Sequence, residues 1–228
     1  GNPSNVINLT AFTVDTTAPI IANITSLTSD GAYKAGQNIS VRVTFSEPVT
    51  LAGGILDVGL DTGAVVAIGA AGPQTIFDGN YTIVGGQNSN DLNSTNVTLS
   101  GTLKDLAGND ANLAMPATTI AVGSAIVVDT IASVLTYTHI QSNNANTSLA
   151  KTGNLVLVNF TSNETLGALP TATIAGNAAT VASNGGNSYN ATFAMTGAET
   201  EGNINFSINF ADAAGNPGTA VSSTSDST

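Results

Sequence analysis

The chain has 228 residues, of which only 4 are Lys or Arg while 15 are Asp or Glu. So few cations cannot neutralise a nucleic-acid backbone, which excludes nucleic acid as a partner, and no run reaches the roughly 20 apolar residues of a membrane-spanning helix. The absence of cysteine excludes a disulfide framework and thiolate metal sites.

Residues 1–14 form the first predicted element, an extended segment rich in apolar side chains. These apolar residues are Val6, Ile7, Leu9, Ala11, Phe12 and Val14. The domain that follows has a final strand of its own at residues 125–128, so the segment is surplus to that domain. We interpret the segment as a donor strand, which would complete the sheet of another copy of the chain.

Alternation of apolar and polar residues then predicts β-strands. The apolar positions are Ile39, Val41, Val43 and Phe45 in one run and Ile204, Phe206, Ile208 and Phe210 in another. A period of two places one face of each strand in a core and the other face in water. Turn signals separate such runs and no segment keeps a helical period, so the sequence predicts an all-β chain of packed antiparallel sheets.

An internal repeat predicts two tandem immunoglobulin-like β-sandwich domains, at residues 15–129 and 130–228. The linker Asp-Thr-Thr-Ala-Pro, which begins the first domain, returns as Asp-Thr-Ile-Ala-Ser from Asp129 onward. The hairpin Asp-Leu-Ala-Gly-Asn returns as Asp-Ala-Ala-Gly-Asn at residues 212–216. No apolar last strand follows this second hairpin, so we expect the second domain to lack its final strand.

These elements resemble the tandem immunoglobulin-like repeats of large bacterial and archaeal cell-surface adhesins and extracellular filaments. The resembling parts are the DTTAP linker, the FSEPV strand end, the DLAGN and DAAGN hairpins and the MTGAETEG segment. The resemblance implies a stalk, adhesin or filament that is secreted to the cell surface and binds calcium where consecutive domains meet. The second linker departs from the pattern because it lacks proline.

Two sets of oxygen-bearing side chains are candidate calcium ligands. Strand assignment places Asp15, Glu47, Asp105, Asn109 and Asp110 at the entry of the first domain, and Asp129, Glu164, Asp212 and Asn216 at the entry of the second. Calcium takes six to eight oxygen ligands, including carboxylates supplied by loops, so the recurrence of the set predicts calcium as a cofactor. The alternative is that Asp15 and Asp129 only cap backbone amides in turns.

Eleven Asn-x-Ser/Thr sequons are candidate glycosylation sites. They begin at Asn8, Asn23, Asn38, Asn80, Asn93, Asn96, Asn146, Asn159, Asn163, Asn190 and Asn205. One interpretation is a glycosylated, secreted protein. The other is that a strand with polar residues outward and an apolar residue between them produces the triplet without modification. In both interpretations the asparagine faces solvent.

The sequence predicts that the protein is not an enzyme. It contains a single histidine, His139, within an apparent surface strand, and no Gly-x-Ser-x-Gly motif that would mark a nucleophile elbow. We expect instead a subunit of a cell-surface filament that binds itself head to tail by donor-strand complementation and has calcium-stiffened domain joints. The alternative is a stalk segment of a large calcium-binding surface adhesin, and other cell surfaces are further candidate partners.

Overall fold

The structure is a computed structural model that describes residues 13–225. Strands account for 52% of the residues and helix for 2%, which confirms the prediction of an all-β, sandwich-type fold. One turn of helix, α1 (Ile120–Gly123), is present in this part of the chain. Between residues 13 and 225 no helix has the length and apolar character needed to cross a membrane.

The chain divides into two compact units. Unit 1 comprises the described residues up to Asp30 together with Asn38–Thr82 and Asp91–Ile126. Unit 2 comprises Gly31–Gln37, Ile83–Asn90 and the described residues from Val127 onward. The strands are, in chain order, β1 (Ile21–Ser26), β2 (Gly31–Tyr33), β3 (Asn38–Leu60), β4 (Val65–Thr82), β5 (Ser94–Leu99), β6 (Thr102–Lys104), β7 (Ile126–Val128), β8 (Leu135–Ser142), β9 (Leu155–Ser162), β10 (Thr171–Ile174), β11 (Asn177–Gly185), β12 (Ser188–Ala194) and β13 (Phe206–Asn209).

In unit 1 the long antiparallel pair of β3 and β4 forms the framework. The first half of β3 also pairs with β1, and its second half pairs with β5 and β6. Register shifts interrupt the β3–β4 pairing near the middle of β3. Such bulges bend a strand and increase its twist, which allows the two halves of β3 to pair with different strands of the sheet.

The core of unit 1 follows the alternation read from the sequence. Ile39, Val41 and Val43 are completely buried, and Phe45 next to them is 2% exposed. The ring of Phe45 meets the ring of Phe77 edge to face, with 5.6 Å between the ring centroids. The predicted inward face of this strand is therefore confirmed.

Unit 2 contains a six-stranded antiparallel sheet in the order β13-β10-β11-β12-β9-β8. Its core includes Val156, Val158 and Phe160 of β9, and Phe160 stacks on Tyr189 with 5.6 Å between ring centroids. The second predicted alternation is also confirmed at Phe206, Ile208 and Phe210, which are at most 8% exposed and belong to the same core.

After β13 no further strand is assigned as far as residue 225, the end of the described chain. The segment that follows runs first along the outer edge of β13, where Val221 forms an antiparallel bridge with Ile208. It then reaches the opposite edge of the sheet, where the Ser225 N–H donates to the Thr138 carbonyl over 2.9 Å. The position of a last strand is thus occupied by a chain segment that makes a single bridge to β13.

The predicted donor strand falls almost entirely outside the described residues. Val6, Ile7, Leu9, Ala11 and Phe12 are among residues 1–12, as is the first sequon at Asn8. Val14 is described; it lies outside any strand and is 73% exposed.

Candidate metal centre and its repeat

Three carboxylates of unit 1 converge where the chain enters the unit. Asp15 lies in the segment before β1, Glu47 lies within β3, and Asp105 follows the end of β6. One carboxylate oxygen from each of the three lies within 4.8 Å of the others. Among residues 13–225 this is the one group of three His, Cys, Asp or Glu side chains with such proximity.

Asp105 is fixed in place by the hairpin that follows it. The carboxylate is buried, and its Oδ1 accepts the N–H groups of Gly108 and Asn109 over 2.7 and 2.8 Å. Its Oδ2 accepts the side-chain amide of Asn109 over 2.8 Å. Burial acts to raise the pKa of Asp105, but these hydrogen bonds outweigh burial and lower the pKa. Asp105 is therefore a preorganised carboxylate that stays ionised at neutral pH.

The entry segment is attached to the same hairpin. Asn109 donates its side-chain amide to the Asp15 carbonyl over 3.3 Å as well as to Asp105. The Asp15 Oδ1 accepts the Thr17 N–H over 3.0 Å, so the expected capping role of Asp15 is present. The Asp15 side chain thus caps a backbone N–H and at the same time lies close to the carboxylates of Glu47 and Asp105.

Glu47 is the carboxylate whose ionised form this arrangement destabilises. Burial raises its pKa first, and the negative charges of Asp15 and Asp105 raise that pKa further. No lysine or arginine within residues 13–225 forms an ion pair with any of the three carboxylates. The group is therefore negatively charged and uncompensated, which is the condition that a bound cation relieves.

The donor chemistry of the triad fits a hard metal ion. All three side chains offer oxygen, and the structure contributes neither histidine nor cysteine to the group. Oxygen-only sites rich in carboxylates suit Ca²⁺ and Mg²⁺ rather than zinc or copper. Asp15, Glu47 and Asp105 could therefore hold a metal ion.

Asp110, which the sequence placed with the ligands, lies apart from the triad. Its carboxylate forms an ion pair with the Lys104 ammonium over 2.6 Å, and its side chain is 77% exposed. The Lys104 ammonium also donates to the Gly108 carbonyl over 3.3 Å. Asp110 therefore neutralises a lysine at the tip of the hairpin.

Unit 2 repeats the hairpin with matching hydrogen bonds between its aspartate and its asparagine. The Asp212 carboxylate, which is 2% exposed, accepts the backbone N–H and the side-chain amide of Asn216, each over 2.8 Å. That side-chain amide also donates to the Asp129 carbonyl over 3.0 Å. Asp129 in turn caps the Ile131 N–H over 2.9 Å. In both units an aspartate–asparagine hairpin thus holds the carbonyl of the linker aspartate, which is Asp15 in unit 1 and Asp129 in unit 2.

The carboxylates of the second set are not brought as close together. Burial raises the pKa of Glu164, and the charges of Asp129 and Asp212 raise it further, so the three groups influence one another. They do not meet the proximity that defines the unit 1 triad. Three of the predicted ligands thus converge in unit 1, while unit 2 keeps the hairpin but not the same proximity of carboxylates.

Lys34 is a residue at the second hairpin that sequence reasoning missed. Its ammonium donates to the Gly215 carbonyl over 2.7 Å, within the turn between Asp212 and Asn216. Gly215 corresponds to Gly108 in the first hairpin, whose carbonyl accepts Lys104. Because 181 residues separate Lys34 from Gly215, no local motif could have indicated the contact.

Lys34→Met is expected to lower the free energy of unfolding by about 1.5 kcal/mol, because a partly buried carbonyl loses a charged donor. Urea denaturation would measure the loss. Lys104→Met is the matched control, because it removes the corresponding lysine from an exposed carbonyl, and it should change stability by less than about 0.5 kcal/mol. Equal effects of the two substitutions would show that Lys34 does not hold the second hairpin.

Comparison with known proteins does not assign the chain to a family. A scan against protein-family models and a search of curated proteins both found no match to the chain. The observations that bear on function are therefore the carboxylate triad of unit 1 and the hairpin that both units share.

Proposed function

We propose that the chain is a structural protein of the cell surface in which calcium fixes the entry of unit 1. The observation that carries this proposal is the repeated hairpin, in which Asn109 binds the Asp15 carbonyl and Asn216 binds the Asp129 carbonyl. An enzyme needs only one catalytic site, so catalysis does not explain why the same hairpin occurs in both units. A protein that must resist being pulled out of shape does benefit when each entry segment is attached to the body of its unit.

Calcium is the cation that suits the triad best. Glu47 lies in β3 while the other two carboxylates come from a loop and a hairpin, so the site draws its donors from three different kinds of segment. Ca²⁺ accepts such irregular geometry, whereas Mg²⁺ demands a near-ideal octahedron. Three carboxylates would have to be completed by water or backbone oxygens to reach the six to eight oxygen ligands that Ca²⁺ takes. We place such a site outside the cell, where calcium is abundant.

The surface chemistry is compatible with that location. The chain has only four Lys or Arg residues and fifteen Asp or Glu residues, so most of its polar side chains carry hydroxyl or amide groups. On the outward side of β3, for example, Ser40 and Thr44 flank Arg42, which pairs with Asp78 over 2.7 Å. Such a surface stays hydrated without high charge. No catalytic role is included in the proposal.

We further propose that copies assemble head to tail, with residues 6–14 of one copy pairing along β13 of the next. Among the described residues, the outer edge of β13 and Phe210 has three backbone hydrogen bonds, two between Ile208 and Val221 and one from Gly218 to Phe210. A donor strand would displace the segment at residues 218–221 from this edge, and an edge with few partners accepts an extended segment from a neighbour. Because donor and acceptor surfaces differ, the contact is heterologous and propagates into a filament.

Negative-stain electron microscopy tests the assembly. The intact chain should form filaments, and the double variant Ile7→Asp/Leu9→Asp should form none, because two apolar side chains on one face of the donor become charged. Asn8→Asp/Thr10→Asp is the matched control with the same added charge at polar positions of the segment, and it should still form filaments. Single particles from the intact chain, or filaments from the first variant, would contradict donor-strand assembly and favour a stalk segment.

A further inference from the structure

The structure divides the sequons into two groups that the sequence could not separate. Ten of the eleven sequons begin within the described residues. Six of these asparagines lie in β-strands: Asn23, Asn38, Asn80, Asn96, Asn159 and Asn190. The other four lie outside strands: Asn93, Asn146, Asn163 and Asn205. A glycan acceptor normally belongs to a surface loop, so the second group contains the stronger candidates.

Two of the four loop asparagines hold neighbouring backbone. The Asn163 Oδ1 accepts the Val134 N–H over 2.8 Å, and the Asn93 Oδ1 accepts the Ala121 N–H over 3.4 Å. Both bonds join segments that are far apart in sequence, and Asn93 is half-buried. Either side-chain amide would have to rotate to reach the active site of a glycosylating enzyme. That rotation would break a hydrogen bond that joins two parts of the fold.

The sequon at Asn205 is partly built into the sheet. Asn205 itself is exposed, but its carbonyl accepts the Ala175 N–H over 2.8 Å. The hydroxyl residue of the triplet, Ser207, belongs to β13 and pairs with Thr173 of β10. The triplet cannot leave the surface without separating these two strands.

Asn146 is the least restricted of the four. Its side chain bonds within its own triplet, and the triplet meets a strand only at the end of that strand, where the Thr147 carbonyl accepts the N–H of Ser142, the last residue of β8, over 2.8 Å. Asn146 lies in the loop between β8 and β9, and all three residues of its triplet are exposed. Among the described sequons it is alone in this respect. Its Oδ1 accepts the N–H of Ser148, the hydroxyl residue of the same triplet, over 3.1 Å. This Asx turn is local, so the Asn146 side chain can be released without breaking a contact between distant parts of the fold.

We propose that Asn146 is the N-glycosylation site among the sequons of residues 13–225 and that the strand sequons are not modified once the chain has folded. This inference rests on the proposed extracellular role. The donor would be an oligosaccharide linked through its anomeric carbon to a polyprenyl diphosphate. The Asn146 Nδ2 forms a bond to that carbon and loses a proton, while the bond from the carbon to the diphosphate oxygen breaks and polyprenyl diphosphate leaves.

The strand sequons illustrate why folding protects them. Asn159 and Asn190 stand directly opposite each other on β9 and β12. Directly opposite residues have Cβ atoms about 4.5–5.5 Å apart, which leaves no room for two glycans side by side. His139 of β8 stands opposite Asn159 on its other side. The Asn159 triplet therefore lies in a paired strand with neighbours on both sides, and an enzyme cannot draw it out without unfolding the sheet.

Glycosylation of the purified folded chain tests the proposal. The chain would be incubated with a purified single-subunit oligosaccharyltransferase and a lipid-linked oligosaccharide, and the glycopeptides mapped by mass spectrometry. Occupancy at Asn146 should exceed that at each strand sequon at least tenfold. Ser148→Ala, which leaves Asn146 in place, should abolish most of the glycan, whereas Thr161→Ala in the Asn159 triplet should change nothing.

Synthetic peptides that cover residues 141–151 and 155–165 serve as unfolded references, and the enzyme should modify both. Modification of Asn159 to the same extent as Asn146 in the folded chain would overturn the proposal. So would a folded chain that is not modified at Asn146 while the first peptide is. Because the enzyme is supplied, these outcomes are independent of where the cell places the protein and leave the calcium proposal to its own tests.

Discussion

Asp212→Ala is expected to lower the free energy of unfolding by about 3 kcal/mol. The carboxylate is 2% exposed and accepts two hydrogen bonds from Asn216, whose own exposure is 9%. Removing it leaves the backbone N–H of Asn216 without an acceptor in a buried position, and the side-chain amide of Asn216 keeps only its bond to the Asp129 carbonyl. Each such loss costs about 1–3 kcal/mol, and more where the removed partner is charged. Urea denaturation followed by intrinsic fluorescence or circular dichroism would measure the effect.

Asp212→Asn provides the control, because it keeps the volume and one carbonyl oxygen that can accept a hydrogen bond. We expect it to lose about half as much stability as the alanine variant. A loss below about 1 kcal/mol for Asp212→Ala would contradict the role given to the hairpin. In that case the repeated arrangement of Asp212 and Asn216 would be a common turn without mechanical importance.

Calcium is expected to stabilise the chain by about 2.7 kcal/mol when its concentration is 100 times the dissociation constant. The cation relieves repulsion among Asp15, Glu47 and Asp105, which no described lysine or arginine compensates. Glu47→Gln should remove most of this effect, because the variant loses one ligand charge. Thermal melts in calcium and in chelator would measure both. Asp110→Asn, which removes a charge outside the triad, should respond to calcium as the wild type does.

The calcium effect should also depend on pH in a definite direction. Burial and two neighbouring carboxylates raise the pKa of Glu47 in the folded protein, so the folded, metal-free chain binds protons more readily there than the unfolded chain. The metal-free form therefore loses stability as pH rises from the ordinary glutamate range, about pH 4, through the raised pKa. Protons and calcium compete for the same oxygens, so the calcium stabilisation should be full at neutral pH and shrink on acidification. A calcium effect that grows on acidification would contradict this account.

The alternating strands could be predicted because their signal is local. Inward residues such as Val41 and Val43 are separated by single polar residues, and a period of two has one structural meaning in a half-buried strand. The hairpin at Asp105 and Asn109 could be predicted because the same letters return at Asp212 and Asn216. Repetition identified the elements, and the fold class then determined which of them would lie near one another.

The remaining features could not be predicted, because they depend on the positions that side chains take in the folded structure. Lys34 binds Gly215 from 181 residues away, and nothing near either residue indicates the pairing. From the sequence alone, Asp110 cannot be distinguished from a metal ligand. In the structure its carboxylate forms an ion pair with Lys104. The difference between the two carboxylate sets likewise results from side-chain positions, since Glu47 and Glu164 occupy similar places in the repeat. The distinction between Asn146 and the strand sequons arises in the same way.

Hydrogen exchange of the entry segment tests most directly whether a cation fixes the chain at unit 1. The Thr17 N–H is held by Asp15, and the Ile20 N–H donates to the Ser46 hydroxyl over 3.0 Å. Mass spectrometry would compare peptides that cover residues 14–20 in calcium and in chelator, with the loop at residues 143–149 as an internal control. We predict that calcium slows exchange in the entry segment about tenfold and leaves the loop unchanged. Equal exchange of residues 14–20 in both conditions would contradict a calcium-fixed entry.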